Sequence, residues 1–437
     1  MRFSVWRVIS NRKLIGRVLG LLVGLVLVPA TLFAGDTSAP DSDRETIKAL
    51  LRRVEQLEAR VAQLEAQQKP ALQPQSSTTA PTAARTPAPT PVPAASEPDP
   101  EQQPGPTPEQ RMDMRTLMQI RGFGDITLHG SDARGTHTAF SLGQLNLFVT
   151  SDVSEKFRFL SEIVFEADQS NNVGVDVERL LLQYSHNDYF NLAVGRYHTD
   201  IGFYNTAYHH SAWLQTAVGR PFLYQFEDNG GILPIHNVGA SVSGAIPSGR
   251  LGLHYVAEVG NGRASHSPLA EPVQNVVDEN NGKAVNVALF ARPSAVRGLQ
   301  VGFSAYHDNL HPLGAASVGE EILAAHAVLQ RPQFEWLNEA LLIRHAVDAG
   351  HVFDTPGFYS QISKAFGPYR PYVRYQYVNA SPQEPIFPFV GLQQGPSVGL
   401  RFDASEAVAL KLQYDHSGYR QPQPSVNGLT LQFAFTF

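Results

Sequence analysis

The sequence contains no cysteine in its 437 residues. That excludes a disulfide framework, a thiolate metal site, a cysteine nucleophile and a lipid-acylated cysteine. It also lacks a charge excess of one sign. Thirty-four Lys and Arg face 40 Asp and Glu, a formal charge of −6, so a basic nucleic-acid face is excluded. Long apolar runs are missing except near the N-terminus, which excludes a bundle of membrane-spanning helices. Catalytic signatures are missing as well. There is no Gly-x-Ser-x-Gly, His-Glu-x-x-His or P-loop, and Gly122-x-Gly124 lacks the rest of a nucleotide fingerprint. Asp278-Glu279-Asn280-Asn281-Gly282 is rich in oxygen ligands but not spaced as an EF-hand. The 15 histidines are scattered, and a chance grouping is expected rather than a metal centre. No enzyme, catalytic residue, metal or cofactor is expected. A soluble globular protein and a transmembrane β-barrel remain. Barrels have ordinary average hydropathy because lipid-facing and lumen-facing residues alternate.

The N-terminus carries an export pattern. Arg2, Arg7, Arg12, Lys13 and Arg17 precede an apolar stretch from Val18 to Phe33, and Ala34 stands before Gly35. Residues 1–34 read as a secretory signal peptide. Pro29 and the short apolar core argue against an uncleaved anchor helix.

Residues 41–68 read as a coiled coil. Ile47, Leu50, Val54, Leu57, Val61 and Leu64 repeat at 3-4 spacing. Arg53 with Glu58, and Arg60 with Glu65, fall at g and e positions. β-Branched residues at a with Leu at d favour a dimer in general. However, Arg53-Val54-Glu55-Gln56-Leu57-Glu58 resembles a trimer-favouring pattern and recurs at Arg60–Glu65, so a homotrimer is expected. An isolated helix of this length would be marginal in water. Residues 69–110 are dominated by Pro, Ala, Thr, Ser and Gln and read as a linker without a core.

Residues 114–437 have an apolar period of two. Leu145, Leu147 and Val149 alternate with polar neighbours, as do Leu180, Leu182 and Tyr184, and Val408, Leu410, Leu412 and Tyr414. Sixteen such segments start near residues 117, 140, 156, 175, 189, 237, 250, 283, 298, 321, 333, 357, 368, 395, 406 and 427. Each is long enough to cross a bilayer as a tilted strand. Alternate connections are short, and most of the others are long. The expected fold is therefore all-β, a 16-stranded antiparallel transmembrane barrel with its ends in the periplasm. The last strand places Leu429, Leu431, Phe433, Phe435 and Phe437 on one face. It resembles the terminal aromatic signal read by the bacterial barrel-assembly machinery, with Phe437 as its final residue.

Signal peptide, short coiled coil, Pro-rich spacer and barrel together resemble trimeric outer-membrane porins of the DcaP-like type. The run from Gly195 to His210 resembles a segment of the phosphate-selective porin O/P-like superfamily. The resemblance implies passive diffusion of small polar solutes by a trimer in the outer membrane of a Gram-negative bacterium. Outer-membrane lipid and lipopolysaccharide would surround the barrel, and the coiled coil would lie in the periplasm. Phosphate-selective members line their pores with lysines. After residue 110 this chain has only Lys156, Lys283, Lys364 and Lys411, so phosphate selectivity does not carry over.

The longest connection, 198–235, is the third outer loop, and in general porins that loop narrows the lumen. Phe203, Tyr204, Tyr208, Trp213, Leu214, Phe222 and Phe226 are too apolar for a solvated loop. Constriction candidates are His198, His209, His210, Arg220, Glu227, Asp228 and His236. Alternatively, the loop is a lid or a trimer contact. Strand parity assigns Arg121, Asp125, Arg158, Glu162, Glu166, Arg179, Glu258, Arg370, Arg374, Arg401 and Lys411 to the lumen wall. With bases on strands thirteen to fifteen and acids on strand three, a transverse field with a lean toward anions or carboxylates is expected. Arg196 falls on the lipid face by parity unless a bulge turns it. Glu335 and Glu339 are out of phase with Arg344. Two other functions fit the same elements. One is a structural anchor reaching peptidoglycan through the coiled coil, with the barrel plugged. The other is an outer-membrane hydrolase.

Overall fold

Alternating apolar and polar residues make strands with one face for lipid and one for the interior. In the computed structural model, residues 117–437 are described apart from 168–171, 209–210, 264–277, 279, 313–315 and 349. The signal peptide, coiled coil and linker lie outside the described residues, as do His209 and His210.

The strands are β1 (Leu117–Ser131), β2 (Ala139–Asp152), β3 (Phe157–Ala167), β4 (Val173–Asn187), β5 (Phe190–His198), β6 (His236–Ile246), β7 (Leu253–Gly260) and β8 (Ala284–Ala291). They continue as β9 (Leu299–Leu310), β10 (Val318–Arg331), β11 (Phe334–Val347), β12 (Val352–Lys364), β13 (Tyr369–Asn379), β14 (Leu392–Asp403), β15 (Val408–Tyr419) and β16 (Val426–Thr436). Each pairs antiparallel with its neighbours in sequence, and β1 closes on β16 from Phe123↔Thr436 to Ser131↔Gly428. The result is a closed 16-stranded barrel. Closure removes every free sheet edge, as a strand-built membrane span requires. Among the described residues the α-helix is a single turn, α1 (Tyr204–Ala207), and no helix is long and apolar enough to cross a membrane.

The outward face is apolar, with Leu145, Leu182, Val194, Val287, Phe303, Leu412 and Leu429 exposed. Tyr189, Phe366, Tyr369 and Phe437, also exposed, ring the short-turn end, which suits an interfacial aromatic girdle. β11 resolves the phase conflict without a bulge, because its registers to β10 and β12 run unbroken. Glu335 and Glu339 share one face. Arg344 lies on the other, paired with Asp354 at 2.8 Å. On β5, Gly195 takes φ +133° beside Leu180 of β4, a conformation that suits glycine. The following Arg196 is not presented to lipid. It is only 11% exposed and reaches Glu178 at 3.3 Å.

The interior holds its own hydrophobic cluster. Ile322, Leu337, Leu341, Ile343 and Tyr359 of the wall pack with Tyr204, Leu223, Tyr224 and Ile235 of the β5–β6 connection. Ile386, Phe387 and Val390 of the β13–β14 connection join them. The sequence marks 380–394 only as an outer loop. In the structure Ile386, Phe387 and Val390 turn inward while Phe389 stays exposed, and burying each large side chain is worth about 1.5–3 kcal/mol.

Candidate functional site

The described part of the β5–β6 connection, residues 199–208 and 211–235, folds into the barrel and is fastened along the inner wall. Three groups of contacts hold it.

The first centres on Glu339 of β11. Its carboxylate accepts the backbone N–H groups of Phe203 (2.5 Å) and Tyr204 (2.9 Å). It also accepts the hydroxyls of Tyr224 (2.7 Å) and Tyr359 (2.6 Å). A carboxylate has four lone-pair sites, and this one fills all four. Glu335, four residues back on the same face, accepts Tyr208 Oη at 2.8 Å and Gln361 Nε2 at 2.8 Å. Gly202 N donates to Ser304 Oγ, and Asp200 N to Glu258. Gly357 of β12 leaves the space that Leu223 occupies, where a methyl group would overlap it.

The second group grips loop carbonyls with wall cations. Lys411 Nζ donates to Ala212 O (2.6 Å) and Ala217 O (3.2 Å). Arg401 donates to Trp213 O and Gln215 O, and Arg374 to Gly219 O and Val218 O. Gln413 both accepts from Val218 N and donates to Val218 O. Gln376 accepts Phe222 N.

The third is internal to the loop and its strand ends. Arg220 donates to Tyr224 O, Tyr208 O and Asn205 Oδ1, and its guanidinium lies over the rings of Phe226 and Tyr204. His198 Nδ1 contacts Asn205 O at 3.0 Å. His236 lies between Glu227 (3.1 Å) and Glu178 (2.8 Å). Burial, the largest single influence, would push the Glu227 carboxyl up, but the adjacent His236 charge and the hydrogen bonds it accepts together hold it below its ordinary value. Burial pushes the Tyr204 hydroxyl up to about 12, so it stays neutral.

The structure therefore gathers His198, Arg220, Glu227 and His236 in one place, but all four are buried. They act as struts of the loop and do not form a solute-facing edge. Asp228 lies in the short 3-10 turn Glu227–Asn229. The wall candidates separate into two sets. Arg374, Arg401 and Lys411 are engaged by loop carbonyls. Glu162 is paired with Arg179 at 2.7 Å, and Asp125 accepts from Gln432 at 2.9 Å and from Gln144 N. Glu166 accepts Gln144 Nε2. Arg121 is exposed. Arg158, paired with exposed Asp152, sits at the rim, and Arg370 donates to Pro332 O at the short-turn end. Below the loop, at that end, a cavity of about 490 Å³ is lined by Tyr208, Thr216, Gln330, Glu335, Arg370 and Arg401, among others.

The sequence reading missed Glu339, Tyr359, Gln376 and Gln413 as loop anchors. The one available signal was the phase of Glu335 and Glu339, which puts two acids on the inner face of β11.

No protein-family model matches the chain, and no curated protein is similar to it in sequence. Solved structures match in fold. An anion-selective porin from Comamonas acidovorans superposes with TM-score 0.54 at 11% identity, over 74% of this chain and 100% of that one. The chain shares that porin's barrel fold. The outer membrane channel DcaP of Acinetobacter baumannii gives 0.52 at 11% identity, over 74% and 97%. Salmonella typhi OmpF, solved with daunomycin, gives 0.54 at 9%, over 73% and 97%.

Proposed function

We propose that the chain is an outer-membrane porin, a passive diffusion channel for small hydrophilic solutes, with residues 199–235 as its constriction. The observation that carries this reading is the fastening of that loop along the inner wall of a closed barrel. Wall acids take its N–H groups, and wall cations take its carbonyls. A segment held this way narrows a lumen at a fixed place, which is what a size-selective filter needs.

The Arg374 guanidinium, which stays protonated, donates to the neutral carbonyls of Gly219 and Val218, so its charge persists at the constriction. Anion preference follows from that. The test is single-channel current of the purified protein in a planar bilayer under a KCl gradient. Openings in three equal steps with a reversal potential on the anion side are expected. A cation-side potential would overturn the selectivity.

A second reading has its own support. The interior cluster around Tyr204, Leu223 and Phe387 is dense, as a plugged anchor would require. Inserted but silent protein that binds purified peptidoglycan would favour it.

A further inference from the structure

Two buried histidines each touch a carboxylate with both ring nitrogens, and each joins the wall to a segment folded inward. His236, at the start of β6, has Nε2 2.8 Å from Glu178 of β4 and Nδ1 3.1 Å from Glu227 of the β5–β6 loop. The same Glu227 accepts the His236 backbone N–H at 2.9 Å, and Phe226 stacks on the imidazole. His345 of β11 has Nε2 3.0 Å from Glu320 of β10 and Nδ1 against Glu384 of the β13–β14 segment. Glu384 in turn accepts Ile386 N and Phe387 N, and Phe387 lies 5.0 Å from the imidazole centroid. Both histidines are nearly sealed from water, at 3% and 1% side-chain exposure.

A neutral imidazole has one N–H and one lone pair, whereas only the imidazolium donates from both nitrogens. Each histidine therefore fits its place as a cation. After loss of a proton, one nitrogen opposes a carboxylate as acceptor against acceptor, and in a buried site that contact is costly. The other charged and titratable groups around the first histidine are Arg196 beside Glu178, His198 with its ring centroid 4.8 Å away, and Arg220 over Phe226. Around the second are Arg263, 3.9 Å from Glu320, and the Tyr306–Asp308 pair of β9. Arg263 links the two places. It lies over Phe387 and donates to Ile232 O of the first segment at 2.9 Å.

We propose that these two histidine clasps form a pH-sensitive latch, closed when protonated, that holds residues 222–235 and 380–391 at the constriction and releases them on alkalinisation. The proposal rests on the channel reading for its consequence but not for its geometry. On the acid side the first clasp is held at Glu227. The Glu227 carboxyl is held below its ordinary value, so its contribution is present above the unfolded value and is lost only as pH falls through the depressed one.

The experiment has two readouts on the full chain. Single-channel conductance is recorded in identical salt at about pH 6 and about pH 10, with at least about a two-fold reversible rise expected as the constriction loosens. His236→Gln and His345→Gln should each reduce that response, and the double variant should abolish it. Equal conductance of the unmodified chain at both pH values, or a full response in the double variant, would overturn the latch. The second readout needs no current. The chain has no cysteine, so Ile232→Cys, at a position 2% exposed, reports release through its labelling by a soluble maleimide. Glu155→Cys, at an exposed position in the β2–β3 turn outside both segments, corrects for the reagent's own pH dependence. Corrected labelling of Ile232→Cys should rise on alkalinisation, and unchanged protection would sink the latch. A silent protein with pH-dependent labelling would sink the channel reading alone.

Discussion

Glu339 shows how much one side chain can decide. It receives two backbone N–H groups and two tyrosine hydroxyls, and it joins β11 to the start of α1 and to Tyr224 of the later 3-10 turn Phe222–Tyr224. Hydrogen bonds to a charged acceptor contribute about 1.5–3 kcal/mol each, and a buried donor left without one costs a similar amount. Glu339→Gln keeps the shape but replaces one acceptor oxygen with a donor nitrogen, so one backbone N–H is left donor against donor and one tyrosine hydroxyl must turn to accept. The variant is expected to lose about 2–4 kcal/mol of stability, following those bond values. It should also show noisier, larger openings than the unmodified channel. Thermal unfolding in detergent and current traces check the two parts. Unchanged unfolding would mean that the tyrosine cluster, not the carboxylate, holds the turn.

Among elements, the strands and the loop differ in what their sequences reveal. All sixteen strands are legible because burial on one face imposes period two. The largest error is at β12, which begins at Val352 where the pattern suggests 357. Asp354 and Pro356 interrupt the apolar alternation there. Pro356 is tolerated because the β12–β13 ladder begins only at Gly357↔Val378. The loop's inward course is legible from its aromatic content, since such residues are not left in solvent. Its fastening is not legible, because the partners come from strands more than a hundred residues away, as Phe203 and Glu339 do. The same limit hides the role of the basic residues on β13–β15. Parity places them inside, but only the fold shows Arg374, Arg401 and Lys411 gripping carbonyls of 212–219. These bonds belong to the element as a whole, so their removal should be graded. Lys411→Met should free Ala212 and Ala217, and adding Arg401→Gln should free Trp213 and Gln215. Trp213 sits 6.2 Å from the Phe123 ring. Its fluorescence should shift further with each substitution, while Arg370→Gln, at the rim, should leave it unmoved.

At the scale of the whole molecule, the barrel is closed by the pairing of its first strand with its last. Glycines on β1 lie beneath aromatic rings of the C-terminal strand, Gly124 beneath Phe435 and Gly122 beneath Phe437. The Phe437 main chain is also paired with Gly122 at both N–H and carbonyl, at 2.9 and 2.8 Å. An aromatic ring over a strand glycine covers backbone that would otherwise be left open. The terminal residue therefore has a role in the finished barrel besides any in recognition by the assembly machinery, and the two can be separated. Phe437→Ala keeps both backbone bonds and removes only the ring, a cross-strand contact worth about 0.2–1 kcal/mol. Refolded in detergent, the variant should unfold within a few degrees of the unmodified barrel, because the seam's remaining pairs from Phe123 to Ser131 are intact. In cells, a recognition role predicts a far larger loss, seen as little folded barrel in the outer-membrane fraction. Matching modest losses in both settings would mean that the ring serves the seam alone.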